Sequence, residues 1–157
     1  MSFTDLYRET VRDLYAYVAT LLHDRSAAED VVAQTYERAF RKRRSYDRRR
    51  GNERAWLFGI ARNAALDELR RRKRTAALVT DPEDTSEPAA DDPDLERRTV
   101  VRSALDTMEP RDRELIALKY HGGFGNAEIA KLLSTSESNV GTRLHRAMNK
   151  LREACDA

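Results

Sequence analysis

Cysteine is almost absent from this chain of 157 residues, with Cys155 as the single example. One cysteine excludes an internal disulfide and a cysteine-rich metal site, and the three histidines are too scattered to form a ligand cluster. No stretch approaches the ~20 consecutive apolar residues of a membrane helix, and the amino terminus has no signal-peptide pattern. We therefore expect a soluble, cytoplasmic protein that needs no metal and no cofactor.

Glycine and proline are also scarce, at six and four residues. No segment alternates β-branched and polar residues as strands do, whereas apolar residues recur with helical spacing along the chain. These patterns predict an all-α fold. An apolar fraction of 40% over this length suits two small cores better than one large core.

Charge is plentiful but segregated along the sequence. Residues 41–74 carry 14 basic and 4 acidic side chains, whereas residues 75–96 carry 8 acidic and no basic ones. The second block is rich in Pro, Ala and Thr, a composition that cannot fill a core. We therefore expect two small helical domains, residues 1–74 and 94–157, joined by a flexible acidic linker over residues 75–93.

Three helices are predicted in the first domain, over about residues 4–22, 26–43 and 53–74, with a charged loop before the third. Ser26 is expected to cap the second helix, because its hydroxyl can satisfy amides of the first turn. An apolar stripe on each helix predicts the buried side. The core candidates are Leu6, Leu14, Val18, Leu21, Leu22, Val31, Val32, Tyr36, Ala39, Phe40, Trp56, Leu57, Ile60, Ala61, Ala64 and Leu69.

The second domain is predicted to hold four helices. Pro110 fits the first position of a helix that runs to Tyr120, and a glycine-rich stretch over residues 122–125 ends it. Asn126 is expected to cap a short helix, and residues 134–136 form a tight turn into a last helix that ends near Ala154. Two helices joined by so short a turn are the outline of a helix-turn-helix.

Two stripes run along the last predicted helix. One is apolar, and the other combines hydrogen-bonding and cationic side chains that can contact base edges or phosphates. The stripes alone suit a solvated amphipathic helix equally well, but the short helix and turn before them favour a helix that reads the major groove. The apolar stripe is Val140, Leu144, Ala147 and Leu151; the polar one is Asn139, Thr142, Arg143, Arg146 and Lys150.

The third predicted helix combines aromatic and cationic residues with a basic end over residues 70–74. Aromatic stacking platforms beside positive charge suit separated nucleic-acid strands. Trp56 and Phe58 at helical spacing are nevertheless usually core residues, and a run of arginines is often a solvated face. Composition alone leaves both interpretations open.

Two blocks of this sequence resemble the extracytoplasmic-function sigma factors, the smallest sigma-70-class subunits of bacterial RNA polymerase. Residues 28–32 and 56–63, with Asp67 and residues 69–71, resemble the second conserved region of that family. Residues 128–133, 136–140 and 143–147 resemble the fourth. Helix-turn-helix motifs are widespread, but both blocks in this order across an acidic linker are specific.

The resemblance implies a function in transcription initiation, in which the chain binds core RNA polymerase and promoter DNA. The second helix would dock on the clamp of the largest subunit, the fourth region on the flap, and the linker would run toward the RNA exit channel. Such factors often have an anti-sigma factor as a further partner, and the protein would associate with the nucleoid when bound to polymerase. The implied polymerase-binding residues are Asp30, Gln34, Glu37, Arg38 and Arg41.

The implied DNA contacts fall in both domains. The loop over residues 47–53, with Ile60 and Asn63, would capture an unstacked base of the minus-10 element, and the last helix would read the minus-35 element. The minus-10 set is Asn52, Trp56, Ile60, Arg62, Asn63, Arg70 and Arg71. The minus-35 set is Ser136, Ser138, Asn139, Thr142, Arg143, His145 and Arg146.

The sequence departs from the family pattern at three points, one of which is the loop over residues 122–125. Ala33 and Gln34 stand where Gln-Glu is usual, and Gly141 replaces a usual lysine or arginine. Gly141 thereby removes one phosphate or base contact and weakens the helix by roughly 1 kcal/mol.

Two other classes of function compete with this interpretation. A stand-alone DNA-binding regulator would use the first domain to sense or dimerise, but such a domain needs no basic, aromatic helix. A nucleic-acid-processing enzyme is disfavoured, because the sequence offers no carboxylate cluster, no nucleophile with a paired base and no glycine-rich phosphate loop. We therefore expect no catalytic residues.

Overall fold

The computed structural model describes residues 2–76 and 95–156, and within these ranges every element of regular structure is helical. The chain divides into two compact units, one containing the first three α-helices and the other the last four. The predicted all-α fold with two helical domains is confirmed. The helices are α1 (Phe3–Leu22), α2 (Arg25–Arg41), α3 (Glu53–Ala76), α4 (Leu95–Asp106), α5 (Pro110–Tyr120), α6 (Asn126–Leu133) and α7 (Glu137–Asp156).

The predicted acidic linker lies almost entirely outside the described residues. Its first two residues, Thr75 and Ala76, belong to the end of α3. Within residues 2–76 and 95–156, no helix is both long and apolar enough to cross a membrane.

The ends of α1 and α2 are set by short polar side chains. The Ser2 hydroxyl accepts a hydrogen bond from the Asp5 amide at 3.2 Å, and the Asp5 carboxylate accepts one from the Ser2 amide. His23 then ends α1 in the left-handed conformation, with φ of 53°. The predicted cap at Ser26 is wrong: the cap lies two residues earlier, where Asp24 accepts the hydrogen bond from the Ala27 amide at 3.1 Å, and α2 begins at Arg25.

The core of unit 1, which is the unit formed by α1, α2 and α3, confirms most of the predicted apolar stripes. All five candidates on α1 are buried, and so are four of the five on α2. Phe40 is the exception, because the residue is 48% exposed; its ring packs edge-on against that of Phe3, with centroids 5.3 Å apart. On α3 the buried residues are Leu57, Phe58, Ala61, Ala64 and Ala65, whereas Trp56, Ile60 and Leu69 are only half-buried.

One polar pair lies inside this core. The hydroxyls of Thr10 and Tyr36 are 2.7 Å apart, and Thr10 also donates to the carbonyl of Leu6. Burial raises the pKa of the Tyr36 phenol to about 12. This effect is larger than the lowering of the same pKa by the hydrogen bond to Thr10. The phenol therefore stays protonated at neutral pH and crosslinks α1 to α2.

Two arginines hold α3 against the other helices of unit 1. Near its start, Arg54 bonds to Asp13 of α1 at 2.8 Å. Near its end, Arg72 donates to the carbonyl of Leu22 at 2.8 Å and to Asp24 at 2.9 Å. Small buried residues between them, Ala61, Ala64 and Ala65, allow α3 to approach α1 and α2 closely.

In unit 2, which is formed by α4 to α7, two predicted helix boundaries are confirmed and one predicted cap is wrong. Pro110 is the first residue of α5, as predicted. The predicted cap at Asn126 is wrong, because Gly125 precedes α6 and the Asn126 amide oxygen instead accepts from Lys119 at 3.3 Å. The predicted turn over residues 134–136 is confirmed, since α6 ends at Leu133 and α7 starts at Glu137. The last helix ends at Asp156.

Two glycines of unit 2 differ in what they allow. A Cβ at Gly122 would lie 2.5 Å from the carbonyl oxygen of Leu118 and 2.6 Å from the ring of Phe124, so the close path of the chain requires glycine there. A Cβ at Gly141 would lie 3.6 Å from the Asn126 amide nitrogen, which is ordinary contact. Gly141 is therefore not required by packing.

The position of Arg72 generates a stability prediction. Arg72→Met keeps the aliphatic stem but removes two links between α3 and the α1–α2 turn, so the free energy of unfolding of unit 1 should fall by about 1.5–3 kcal/mol. Arg70→Met is the matched control, because Arg70 is 71% exposed and bonds only to Asp67 on its own helix. Its loss should be below about 0.5 kcal/mol.

The measurement is urea unfolding followed by tryptophan fluorescence. Trp56 is the single tryptophan of the chain and lies in unit 1, so the signal reports this unit alone. Equal unfolding midpoints for the two variants would show that the Arg72 bridge does not stabilise unit 1.

Candidate nucleic-acid interface

The start of α7 is fixed by hydrogen bonds within the turn that precedes it. The Ser136 hydroxyl accepts from the Asn139 amide at 3.1 Å and so caps the helix. The Asn139 side-chain amide donates to the Thr135 hydroxyl at 2.8 Å. Two residues predicted to contact DNA are therefore part of the scaffold that orients the helix.

The rest of α7 has the two predicted sides. Val140, Leu144 and Ala147 are buried, whereas Leu151 is half-buried. Helical spacing gathers the exposed residues Ser138, Thr142, His145 and Arg146 on one face.

For three residues of α7 the observed position or contact differs from the prediction, which placed Arg143 and Lys150 on the polar stripe and did not include Asn149. Arg143 is half-buried and lies beside the apolar side, and Lys150 forms an ion pair with Asp112 of α5 at 3.3 Å. Asn149, which the sequence analysis missed, lies on the exposed face and is 3.4 Å from a ring nitrogen of His145. Its position one turn after His145 was the signal that would have identified it.

A second polar face lies on α3, opposite the face that packs in the core. Helical spacing places Trp56, Ile60, Asn63 and Arg70 in one stripe, with Asn63 and Arg70 exposed and the other two half-buried. Arg62 is not brought to this stripe, because helical spacing places it about 80° or more around the helix from each of them, and it is half-buried. Phe58 is fully buried, so it is a core residue and not a stacking platform.

The basic end of α3 is partly neutralised. Arg70 bonds to Asp67 at 3.1 Å, and Arg71 bonds to Glu68 through two nitrogens at 2.7 and 3.0 Å. The Arg71 hydrogen bond lowers the pKa of the Glu68 carboxyl below its ordinary value, which keeps it ionised. These arginines can still contact phosphate, but a phosphate must compete for them with the carboxylates of Asp67 and Glu68 on the same helix.

The loop before α3 is braced by its own side chains. The Tyr46 hydroxyl donates to the carbonyl of Gly51 at 2.8 Å, and its ring packs against Trp56 with centroids 5.4 Å apart. The Asn52 amide oxygen accepts from the Ala55 amide at 2.7 Å and caps α3.

An open pocket of about 390 Å³ lies between this loop and α1. Its lining includes Asn52 but neither Ile60 nor Asn63, so the predicted base-capturing residues do not all meet in it. The lining residues are Leu6, Glu9, Thr10, Tyr46, Arg48, Asn52, Glu53 and Arg54.

The predicted polymerase-binding residues share one face of α2. Asp30, Gln34, Glu37 and Arg41 are exposed and lie in one stripe, with Arg38 half-buried at its edge. Glu37 and Arg41 form an ion pair at 2.7 Å. This face is opposite to the buried side of α2, so it is available to a partner. Within residues 2–76 and 95–156, no three His, Cys, Asp or Glu side chains lie close enough together to hold a metal ion.

Comparisons with known proteins agree with this organisation. Residues 6–75 match the model of Sigma-70 region 2, and residues 98–151 match that of Sigma-70, region 4. The chain is 32% identical to the ECF RNA polymerase sigma factor SigK of Mycobacterium ulcerans, over 99% of this chain and 87% of that protein. It is 34% identical to SigL of Mycobacterium tuberculosis, over 94% of this chain and 85% of the relative.

A solved structure shows the same fold. The sigma factor RpoE of Bartonella quintana, in complex with the anti-sigma factor NepR, superposes with a TM-score of 0.82 at 27% identity, over 99% of this chain and 97% of that one. The two matched regions, in this order, define a sigma-70-type initiation factor. This chain belongs to the extracytoplasmic-function family of RNA polymerase sigma factors. The comparisons favour this assignment over a stand-alone regulator.

Proposed function

We propose that this chain binds the core RNA polymerase of its cell and directs it to particular promoters. The observation that carries the proposal is the presence, in one chain, of two faces: an exposed polar face on α7, the second helix of a helix-turn-helix, and a stripe on α3 in which Asn63 and Arg70 are exposed and Trp56 and Ile60 are half-buried. The first face suits a closed major groove, and the second suits strands that have separated. A stand-alone regulator needs only the first.

The division of labour follows the two units. The stripe on α2 that begins at Asp30 binds the clamp of the largest subunit, and unit 2 binds the flap while α7 reads the minus-35 element. Asn52, Trp56, Ile60 and Asn63 contact the minus-10 element. Arg70 and Arg71 contact phosphates, whereas Arg62 is half-buried and lies on another face of α3.

The protein supplies specificity and no chemistry of its own. It acts without catalytic residues or cofactors in the cytoplasm, at the nucleoid when it is part of the polymerase complex. An anti-sigma factor is the expected regulator, since the solved relative RpoE is in complex with NepR.

Co-purification with core polymerase, followed by run-off transcription from a candidate promoter, tests this function. We expect the parent chain to bind core enzyme and the double variant Asp30→Arg/Glu37→Arg to bind about tenfold more weakly or worse, because like charges across an interface are costly. Glu29→Arg is the control, since Glu29 is exposed on α2 but lies beside the proposed stripe. If the double variant binds core polymerase as tightly as the parent chain, and its urea unfolding followed by Trp56 fluorescence is unchanged, then this face of α2 is not the docking face.

The reading helix generates a second prediction. Arg146→Ala should weaken binding of the polymerase complex to a minus-35 duplex by about 1–3 kcal/mol if the side chain contacts a base. Arg152→Ala is the matched control, because Arg152 is exposed on the same helix nearer its end. The measurement is competition binding against duplexes that differ only in the minus-35 element. Equal binding of the two variants would remove Arg146 from the reading face.

Asn63 generates a third prediction, on strand opening. Asn63→Ala should leave folding stability and closed-duplex binding nearly unchanged but reduce open complexes, since a lost base contact costs about 1–3 kcal/mol. Permanganate reactivity of unpaired thymines measures opening. Thr4→Ala, an exposed polar change on α1, is the control. Full opening by the Asn63→Ala complex at every temperature would show that Asn63 captures no base.

A further inference from the structure

The carboxylate of Glu68 binds two arginines near the end of α3. Arg71 donates to both of its oxygens, through Nε at 3.0 Å and through Nη2 at 2.7 Å, and Arg72 donates to one of them at 3.4 Å. The side chain of Glu68 is 17% exposed, whereas that of Arg71 is 68% exposed. A half-buried carboxylate therefore holds an arginine that is open to solvent.

This carboxylate is connected to the neighbouring helices through Arg72. The Arg72 guanidinium donates to the carbonyl of Leu22 at 2.8 Å and to Asp24, the cap of α2, at 2.9 Å. Hydrogen bonds thus run without a break from the cap of α2 through Arg72 and Glu68 to Arg71. The position of Arg71 is consequently set by the body of unit 1 and not by α3 alone.

Arg70, the preceding residue, is held much less firmly. It makes one contact of 3.1 Å with Asp67, and the two side chains are 71% and 61% exposed. A single contact between exposed charges restrains a side chain only weakly. Two bonds to two oxygens of one carboxylate, as in the Arg71 pair, fix the direction and the plane of a guanidinium.

Arg71 can still bind a further acceptor while it is paired. A guanidinium has five N–H groups, and Glu68 accepts from two of them. Competition with Glu68 concerns only these two, so a phosphate can bind through the other three while Glu68 stays in place. Because the side chain is already ordered, such a contact loses less rotamer entropy than one made by a freely moving arginine.

We propose that Glu68 is a positioning residue for promoter binding, which holds the Arg71 guanidinium in place for a phosphate of the DNA. The proposal rests on the proposed function, in which Arg71 contacts phosphate. A carboxylate beside DNA by itself opposes binding, because like charges repel. Positioning and charge therefore have effects of opposite sign, and salt screens the effect of charge.

The experiment measures binding of the assembled polymerase complex to a fork-junction promoter fragment at about 0.3 M salt, where charge repulsion is largely screened. Glu68→Ala should weaken binding about two- to tenfold, because Arg71 must then be ordered by the DNA. Glu68→Gln keeps an acceptor oxygen for Arg71 and should retain most of the parent affinity. Glu29→Ala, which removes an exposed carboxylate of α2, is the control and should change little.

A double-mutant cycle shows whether the effect passes through Arg71. When Arg71 is already replaced by Ala, the further change Glu68→Ala should not weaken binding. Urea unfolding followed by Trp56 fluorescence measures the stability of each variant of unit 1.

Two results would overturn the proposal. Unchanged or stronger binding by Glu68→Ala means that Glu68 acts only through its charge. An equal loss with and without Arg71 means that Glu68 acts through the fold of unit 1. If the parent chain binds no core polymerase, the proposed function fails, and the same cycle with the chain alone and the fork fragment still decides whether Glu68 positions Arg71.

Discussion

Two arginine bridges fix the rotation of α3 about its axis, and the exposed surface of unit 1 depends on that rotation. Arg54 bonds to Asp13, and Arg72 bonds to Asp24 and the carbonyl of Leu22. The two arginines are 18 residues apart, about five helical turns, so both leave α3 from the same side. That side also carries Ala61 and Ala65, which pack in the core. The opposite side, with Trp56 and Asn63, is consequently the one presented to solvent.

The sequence predicted the helices of this fold because apolar spacing is a local property. It failed at the starts of α2 and α6 and at the end of α2, where contacts with neighbouring helices take part. Asp24 caps α2 directly after His23, which ends α1 in the left-handed conformation, and Asp24 also binds Arg72 of α3. Phe40 was predicted in the core from its spacing, but α2 ends beside it and leaves half of its ring exposed. Helical spacing identifies the apolar side of a helix, but it does not show where along the helix the packing against other helices ends.

The candidate site was predictable in type but less so in detail. A stripe of polar residues on α7 and an aromatic, basic α3 were visible in the sequence, since both follow helical periodicity. The sequence did not show which cations form ion pairs or hydrogen bonds within the protein. Lys150 reaches Asp112, which is 38 positions away, and Arg72 reaches Leu22, which is 50 positions away. Such pairs depend on which helices become neighbours, and a charge count along the chain treats all cations alike.

The loop that joins α2 to α3 carries exposed cations whose chemistry has a consequence. Of the five, Arg43, Arg44, Arg48 and Arg49 are arginines, and Lys42 is the one lysine. Guanidinium groups are not substrates for lysine acetylation. A modifying enzyme that acetylates lysines would therefore remove one charge of five and leave the surface cationic.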